Sequence, residues 1–134
     1  MMLLPQTSRV PHLLVVEDEL AVQAALKKYF VAAGFDVDCA GELEEAEALL
    51  ATGAYDVVIA DLRLSRGHAA TEGLEILRYI RRHSRGTRVV VLSAHAGADL
   101  RHCADSLGAA AFLQKPMSLP QIAATVARVL EVAR

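Results

Sequence analysis

Four short segments of this chain are apolar nearly throughout, and they constrain its fold more than any other feature. They are LLVV (13–16), VVIA (57–60), VVVL (89–92) and AAAFL (109–113). A strand that is apolar at every position needs cover on both faces, as in a parallel sheet packed between helices. A fifth segment, FDVDCA (35–40), alternates aspartates with apolar residues, which is typical of an edge strand with one half-wet face.

Helical patterns separate these segments. Apolar residues recur at three- and four-residue spacing in stripes that begin at Val22, Ala46, Leu74, Leu100 and Ile122. Gly34, Gly53 and Gly108 stand where helices would end, and SLPQ (118–121) predicts a capping box at the start of the last helix. Strand and helix thus alternate five times, which predicts one doubly wound α/β domain over residues 11–134, after a loose arm at 1–10.

Composition excludes several classes of protein. A net charge of −2 gives no electrostatic argument for binding nucleic acid or an anionic membrane. The first residues lack the basic region of a secretory signal, and no apolar run approaches the roughly 20 residues that a membrane span needs. Cys39 and Cys103 have neither disulfide nor metal-ligand spacing, so we interpret them as thiols in a reducing cytoplasm.

Charged and hydroxyl residues stand where four of the predicted strands end. Glu17, Asp18 and Glu19 follow the first strand, Asp61 ends the third, and Ser93 and His95 follow the fourth; the fifth ends in Lys115–Pro116. In an open parallel sheet, ligands bind outside the carboxyl ends of the strands, where strand order reverses. Each residue alone is more often a cap or a loop residue. Their joint placement at one edge predicts a site.

The acidic residues at this edge predict a divalent cation. Carboxylates at roughly 4–5 Å repel one another by about 1 to a few kcal/mol per pair, and one lysine cannot neutralise three of them. Oxygen ligands with only two or three carboxylates favour Mg²⁺ that keeps several waters. Such a site, with a lysine and a hydroxyl, suits phosphoryl oxygens. Asp61 stands alone at its strand end, so we assign it as the nucleophile that would form an aspartyl phosphate.

The segments VVEDE, VVIADLRL, VVVLSA and FLQKP, in this order, resemble the receiver domain of two-component response regulators. The resemblance covers the chain from about His12 to its end. It implies the flavodoxin-like fold of the chemotaxis response regulator, a five-stranded parallel sheet in the order 2-1-3-4-5.

The resemblance also implies a role for each residue that matches a family motif. Glu17 and Asp18 resemble the acidic Mg²⁺ pair, Asp61 the phosphoacceptor, and the main-chain carbonyl of Arg63 a further metal ligand. Ser93 and Lys115 resemble the hydroxyl and the lysine that contact the phosphoryl group. Phe112, together with Ser93, matches the switch that couples to phosphorylation, and the Lys115–Pro116 bond is expected to be cis.

The chain departs from the family pattern after Asp61. The Pro and Gly that the family often carries four and eight residues on are replaced by Ser65 and Ala69. We expect the helix to start at Gly73, after a loop about four residues longer than usual. Arg63 and His95 occupy variable positions that tune dephosphorylation in the family; for His95 itself a solvated loop histidine is favoured over a proton donor.

The resemblance implies a cytoplasmic signalling module. It would take a phosphoryl group from a sensor or hybrid histidine kinase, or from a phosphotransfer protein. It would then change its affinity for a downstream target through the face formed by helix 4, strand 5 and helix 5. We expect no catalysis beyond its own phosphotransfer and autodephosphorylation, no direct contact with nucleic acid and no membrane contact. Homodimerisation that depends on phosphorylation is a further alternative that the sequence leaves open.

Two alternatives belong to other classes. A hydrolase of the haloacid type would carry a second acid two residues after its nucleophile, where this chain has Arg63. A binding module that is never phosphorylated would not need the full set of acidic pair, Asp61, Ser93 and Lys115. Five arginines near the end of the third helix lie away from the predicted site, and we expect them to complement the helix dipole: Arg78, Arg81, Arg82, Arg85 and Arg88.

Overall fold

The computed structural model of the 134-residue chain describes residues 10–62, 69–83, 86–94 and 98–132. Five parallel strands form one sheet: β1 (His12–Val16), β2 (Asp36–Ala40), β3 (Val57–Leu62), β4 (Arg88–Ser93) and β5 (Ala111–Gln114). Five helices connect or follow them: α1 (Leu20–Ala32), α2 (Leu43–Thr52), α3 (Ala69–His83), α4 (Ala98–Ser106) and α5 (Leu119–Val132). The strand order β2-β1-β3-β4-β5 confirms the predicted sheet, with the Asp-rich strand at an edge.

The sheet separates two apolar cores. One face packs against α2, α3 and α4 through side chains such as Leu14, Val58, Ile76 and Val91. The other packs against α1 and α5 through side chains such as Phe30, Ile59 and Val126. Successive strand residues point to opposite faces, so an uninterrupted apolar run supplies both cores at once. This two-sided burial is why the strand segments show no alternation in sequence.

Local signals place several helix ends where the sequence predicts them. Gly34 and Gly108 adopt φ of 100° and 92° just after α1 and α4, a region that glycine enters without steric cost. The capping box before α5 is reciprocal: the Ser118 N–H donates to Gln121 Oε1 at 2.9 Å, and the Gln121 N–H donates to Ser118 Oγ at 3.2 Å. The Lys115–Pro116 peptide bond is cis, as expected.

The predicted start of α3 is wrong. The helix begins at Ala69 rather than at Gly73, so Gly73 lies inside it. Alanine is the strongest helix former, and an internal glycine costs only about 1 kcal/mol, so the alanines at 69 and 70 can extend the helix past that glycine. The additional residues after Asp61 therefore contribute to a longer helix. Residues 63–68, with Arg63, Ser65 and His68, lie outside the described residues, as does His95.

None of the helices in the described ranges combines the length and the apolar character that crossing a bilayer requires.

Candidate phosphoacceptor site

Strand register brings the predicted site residues to one level of the sheet. Val16 of β1 pairs with Ala60 of β3, so the residues that follow them, Glu17 and Asp61, reach the same edge. Asp61 pairs in turn with Leu92, and Ser93 pairs with Gln114, the residue before Lys115. The main chain continues this alignment, because the Lys115 N–H donates to the Ser93 carbonyl at 2.8 Å. Residues far apart in sequence thus meet because parallel strands end together.

The pleat then assigns each side chain to a face of the sheet. Glu17, Asp61 and Lys115 continue the positions of Val15, Ile59 and Leu113, which pack toward α1 and α5. Ser93 and Phe112 continue the positions that pack toward α2, α3 and α4. The acidic and lysine side chains therefore share one face, while the two predicted switch residues share the other.

Asp61 is a buried carboxylate in contact with the Lys115 ammonium group. Its side chain is 2 % exposed, and its Oδ2 accepts a hydrogen bond from Lys115 Nζ, whose side chain is 34 % exposed. The buried Oδ1 has no hydrogen-bond partner among the described residues. Burying a carboxylate oxygen without a donor is costly, so this arrangement favours a ligand that supplies positive charge or a proton at Oδ1.

Glu17 lies beside Asp61, and its pKa is raised by burial and by the nearby Asp61 carboxyl group. Burial raises the pKa of Glu17 to about 8, with a further contribution from the Asp61 carboxyl, although the Glu19 N–H that donates to Glu17 Oε2 at 2.8 Å opposes it. The Glu17 residue is 2 % exposed. Near neutral pH this carboxyl therefore holds a proton or needs a cation.

The donor set fits Mg²⁺ in part. Glu17 and Asp61 are carboxylates brought together at the strand ends, and Asp18, the residue after Glu17, is exposed. Across the described ranges no three acidic, histidine or cysteine side chains form a group that could hold a metal ion. Two protein carboxylates plus water is nevertheless what Mg²⁺ accepts, and the buried Oδ1 of Asp61 supplies an acceptor atom for it. The carbonyl of Arg63, the fourth predicted ligand, lies outside the described residues.

The predicted switch residues are both buried. Ser93 is 0 % and Phe112 7 % exposed, and both occupy positions on the sheet face that packs against α2, α3 and α4. The guanidinium carbon of Arg101 on α4 lies 5.5 Å from the centre of the Phe112 ring, a cation–π contact that the sequence pattern does not reveal. A second unpredicted contact supports the acidic pair: the Gln23 amide of α1 donates to the Glu17 carbonyl.

A cavity of about 670 Å³ adjoins the site on the side of α1 and α5. Lys115 and Pro116 form one end of its lining, and apolar side chains of both helices, such as Val22 and Ile122, form the rest. Lys115 therefore contacts both this apolar groove and the Asp61 carboxylate.

Comparison with known proteins agrees with this geometry. The family model described as response regulator receiver domain matches residues 13–127. Over 120 residues, 90 % of this chain, the sequence is 33 % identical to the alginate biosynthesis transcriptional regulatory protein AlgB of Pseudomonas aeruginosa. The match covers 26 % of AlgB, so this chain spans about a quarter of that relative's length.

Solved structures share the fold. The non-phosphorylated receiver domain of HemR from Leptospira biflexa superimposes with a TM-score of 0.81 at 32 % identity, covering 92 % of this chain and 97 % of that one. The response regulator TrrA from Thermotoga maritima, in complex with Mg²⁺-BeF, superimposes with a TM-score of 0.75 at 25 % identity, covering 90 % and 99 % of the two chains.

Proposed function

The chain belongs to the response regulator receiver domain family, and from that membership we propose that it accepts a phosphoryl group on Asp61 in the presence of Mg²⁺. The observation that carries the proposal is the state of Asp61 itself. Its carboxylate is buried at a strand end and held by Lys115 on Oδ2, and no described residue donates to Oδ1. A carboxylate fixed in this way is positioned to attack rather than to support the fold.

The transfer can be written with this chain's own groups. An oxygen of the Asp61 carboxylate attacks the phosphorus of a phosphohistidine on a kinase or phosphotransfer protein. An O–P bond forms, the donor's P–N bond breaks, and its electron pair stays on the imidazole nitrogen. Lys115 turns from the Asp61 carboxylate toward the transferred phosphoryl oxygens, and the Ser93 hydroxyl donates to one of them, so that the charge spread over these oxygens is stabilised.

Mg²⁺ would be held by Glu17, Asp18, Asp61 and the Arg63 carbonyl, and when bound it supplies charge neutralisation for the incoming phosphoryl oxygens. TrrA, whose fold this chain shares, has been solved in complex with Mg²⁺-BeF, which supports Mg²⁺ as the cation. We place the protein in the cytoplasm, where such phosphoryl donors act.

The readout would run through the opposite face of the sheet. A phosphoryl group that binds the Ser93 hydroxyl favours positions of β4 and β5 that differ from those of the free protein. Phe112 and Arg101 link this change to α4. The α4–β5–α5 face would then shift toward a conformation that binds a downstream target. That target can also be a second copy of this chain.

Labelling by a small phosphodonor tests the proposal. With radiolabelled acetyl phosphate and Mg²⁺, we expect the wild-type chain to incorporate one phosphoryl group, and Asp61→Asn to incorporate none while keeping its circular dichroism spectrum. Asp36→Asn, an exposed aspartate at the other end of the sheet, serves as the matched control and should label normally. One-site labelling that persists in Asp61→Asn would sink the assignment. A wild-type chain that never labels would favour the non-phosphorylated binding module instead.

A further inference from the structure

Three arginines converge at the amino end of the sheet, remote from Asp61. A cavity of about 400 Å³ between the ends of α3 and α4 has Arg81 and Arg88 in its lining. A second cavity of about 360 Å³, below the start of β5, has Arg88 and Arg128 in its lining. The two cavities share Arg88 and Gly108, so they adjoin. Arg88 therefore stands between them, with one arginine on each side.

The charge of this arginine group is not neutralised within the described part of the chain. Arg78, one turn before Arg81 on α3, shows the contrast, because its guanidinium pairs with Glu75 at 2.9 Å. Arg88 and Arg128 make no side-chain hydrogen bond or ion pair with any residue in the described ranges. Asp56, whose carbonyl accepts the Arg88 N–H, has its carboxylate engaged by the His12 N–H at 2.8 Å.

Favourable interaction with helix dipoles explains the position of only some of these arginines. α3 and α4 both end here, and a cation near a helix C-terminus is favourable. Arg81 fills that role, because its guanidinium donates to the Ser106 carbonyl at the end of α4, at 2.9 Å. Arg88 is different. It is half-buried at the first position of β4 and lines both cavities, and its guanidinium has no hydrogen-bond or ion-pair partner among the described residues.

We propose that the two cavities form one binding site for a small polyanion that carries a diphosphate or triphosphate group. Guanidinium groups bind phosphate oxygens through paired hydrogen bonds, and Arg88 between two flanking arginines fits a chain of linked phosphates better than a single phosphate. Each cavity lies in the size range of small-ligand sites, and a concave site excludes the broad contact that a nucleic-acid backbone would need. The space beside Gly108 is open, since a Cβ built there meets no atom within 4 Å.

The linked phosphates could belong to a nucleotide or to a free inorganic polyphosphate, and the experiment distinguishes these two ligands. Isothermal titration of the full chain in EDTA, at constant ionic strength, would use tripolyphosphate, pyrophosphate, orthophosphate and a nucleoside triphosphate as probes. We expect binding that strengthens from orthophosphate to tripolyphosphate. A nucleoside triphosphate that binds more tightly than tripolyphosphate assigns the nucleotide, and equal binding assigns the polyphosphate alone.

Four variants decide whether the arginine group is responsible. Arg88→Gln should weaken tripolyphosphate binding at least about tenfold and Arg128→Gln several-fold, since each removes charge-assisted hydrogen bonds. Arg78→Gln removes the same charge outside both cavities and should leave the affinity within about twofold. Arg88→Lys keeps the charge without the planar fork, so an intermediate loss is expected even if Arg88→Gln fails to fold.

The proposal is overturned if the wild-type chain shows no binding at millimolar tripolyphosphate. It is equally overturned if Arg78→Gln weakens binding as much as Arg88→Gln, because diffuse charge would then explain the effect. Lys115→Met completes the set. Loss of binding in that variant would move the anion to the Asp61 site.

Discussion

Two polar clusters lie at opposite ends of the same sheet, and they differ in how fully their polar atoms are satisfied. The carboxyl-end cluster consists of Glu17, Asp61 and Lys115. The amino-end cluster consists of His12, Asp38 and Tyr55. Both combine residues from three different strands or strand ends, and both contain a carboxylate with a cationic or titratable partner.

The amino-end cluster is closed. The Tyr55 hydroxyl donates to Asp38 Oδ2 at 2.6 Å, and His12 Nε2 lies 3.0 Å from the same oxygen. His12 Nδ1 lies 3.0 Å from the Ala54 carbonyl, and the rings of His12 and Tyr55 are in contact, with centres 4.2 Å apart and planes tilted by 32°. The Tyr55 hydroxyl lowers the pKa of Asp38, with a smaller contribution from His12, so the charged carboxylate is the favoured form.

In the carboxyl-end cluster, by contrast, not every buried polar atom has a hydrogen-bond partner among the described residues. Its two carboxyls face each other, the pKa of Glu17 is raised, and Oδ1 of Asp61 has no donor among the described residues. A group that is satisfied by its neighbours stabilises the fold, whereas a buried group left unsatisfied marks a place where a ligand completes the structure. The comparison therefore supports the proposed role of the carboxyl-end cluster without reference to sequence motifs.

The largest expected effect is at Lys115. The Lys115→Met substitution removes the described cation that contacts Asp61. The negative charge on the transferred phosphoryl oxygens is then no longer stabilised by the Lys115 ammonium group. We expect the rate of labelling by acetyl phosphate to fall about a hundredfold. Lys28→Met, a change at an exposed lysine of α1, is the control and should label at the wild-type rate. Lys115→Met that labels within twofold of wild type would contradict the role given to this ammonium.

An intermediate effect of opposite sign is expected at Glu17. Because its pKa in the folded protein, about 8, lies above the ordinary value of 4.5, the folded chain keeps a proton that the unfolded chain releases. In the absence of Mg²⁺, stability should therefore fall as pH rises from 4.5 to about 8. Glu17→Gln removes this cost, and at the upper end of the range it should raise the free energy of unfolding by on the order of 2 kcal/mol.

Urea denaturation of both proteins in EDTA across this pH range provides the measurement. The gap between Glu17→Gln and wild type should be near zero at the acidic end and grow toward the alkaline end. Glu47→Gln, at an acidic residue of α2 away from the site, supplies the control. A gap that does not change with pH would show that the cluster carries no charge conflict.

The smallest effect is expected in the closed cluster. Tyr55→Phe removes one hydrogen bond to Asp38 and should lower the free energy of unfolding by about 1 kcal/mol near neutral pH, with labelling of Asp61 unchanged. The Asp38 side chain is 43 % exposed, so solvent screens part of the interaction. Because the pKa of Asp38 is depressed below 3.8, the stabilisation is full above that value and is lost as pH falls through the folded-state pKa.

Urea denaturation at about pH 6 and about pH 3 tests this sign. The difference between wild type and Tyr55→Phe should shrink at the lower pH. Tyr29→Phe on α1 is a matched change outside the cluster and should have no such pH dependence. A Tyr55→Phe variant that loses labelling instead would show that the two ends of the sheet are coupled.

Some features of the molecule could be read from local sequence. Four apolar runs predicted four of the strands, because burial on both faces removes alternation, and the alternating segment 35–40 predicted the edge strand. Gly34 and Gly108 predicted helix ends, because the positive φ there excludes most side chains. The start of α3 was not predictable from Gly73. A glycine is a weak helix breaker, and the alanines before it outweighed its effect.

Contacts between residues far apart in sequence were not predicted where no motif linked the residues. Arg101 over Phe112, Tyr55 against Asp38, and Arg88 between Arg81 and Arg128 depend on which helices and strands become neighbours. None of these pairs has a spacing that signals contact. They follow from strand order and from the packing of helices across the sheet.

The sequence by itself determined the sheet, its two-sided cover, and the set of charged residues at its carboxyl edge, since these depend on the order of residues within each strand and on parallel strands ending together. Only the tertiary structure decided which of those charges are balanced. Lys115 contacts one oxygen of Asp61, the other oxygen is buried with no donor in the part of the chain that the structure describes, and Glu17 lies beside it. Charge balance depends on distance and burial in three dimensions, and neither quantity is carried by residue type or spacing alone.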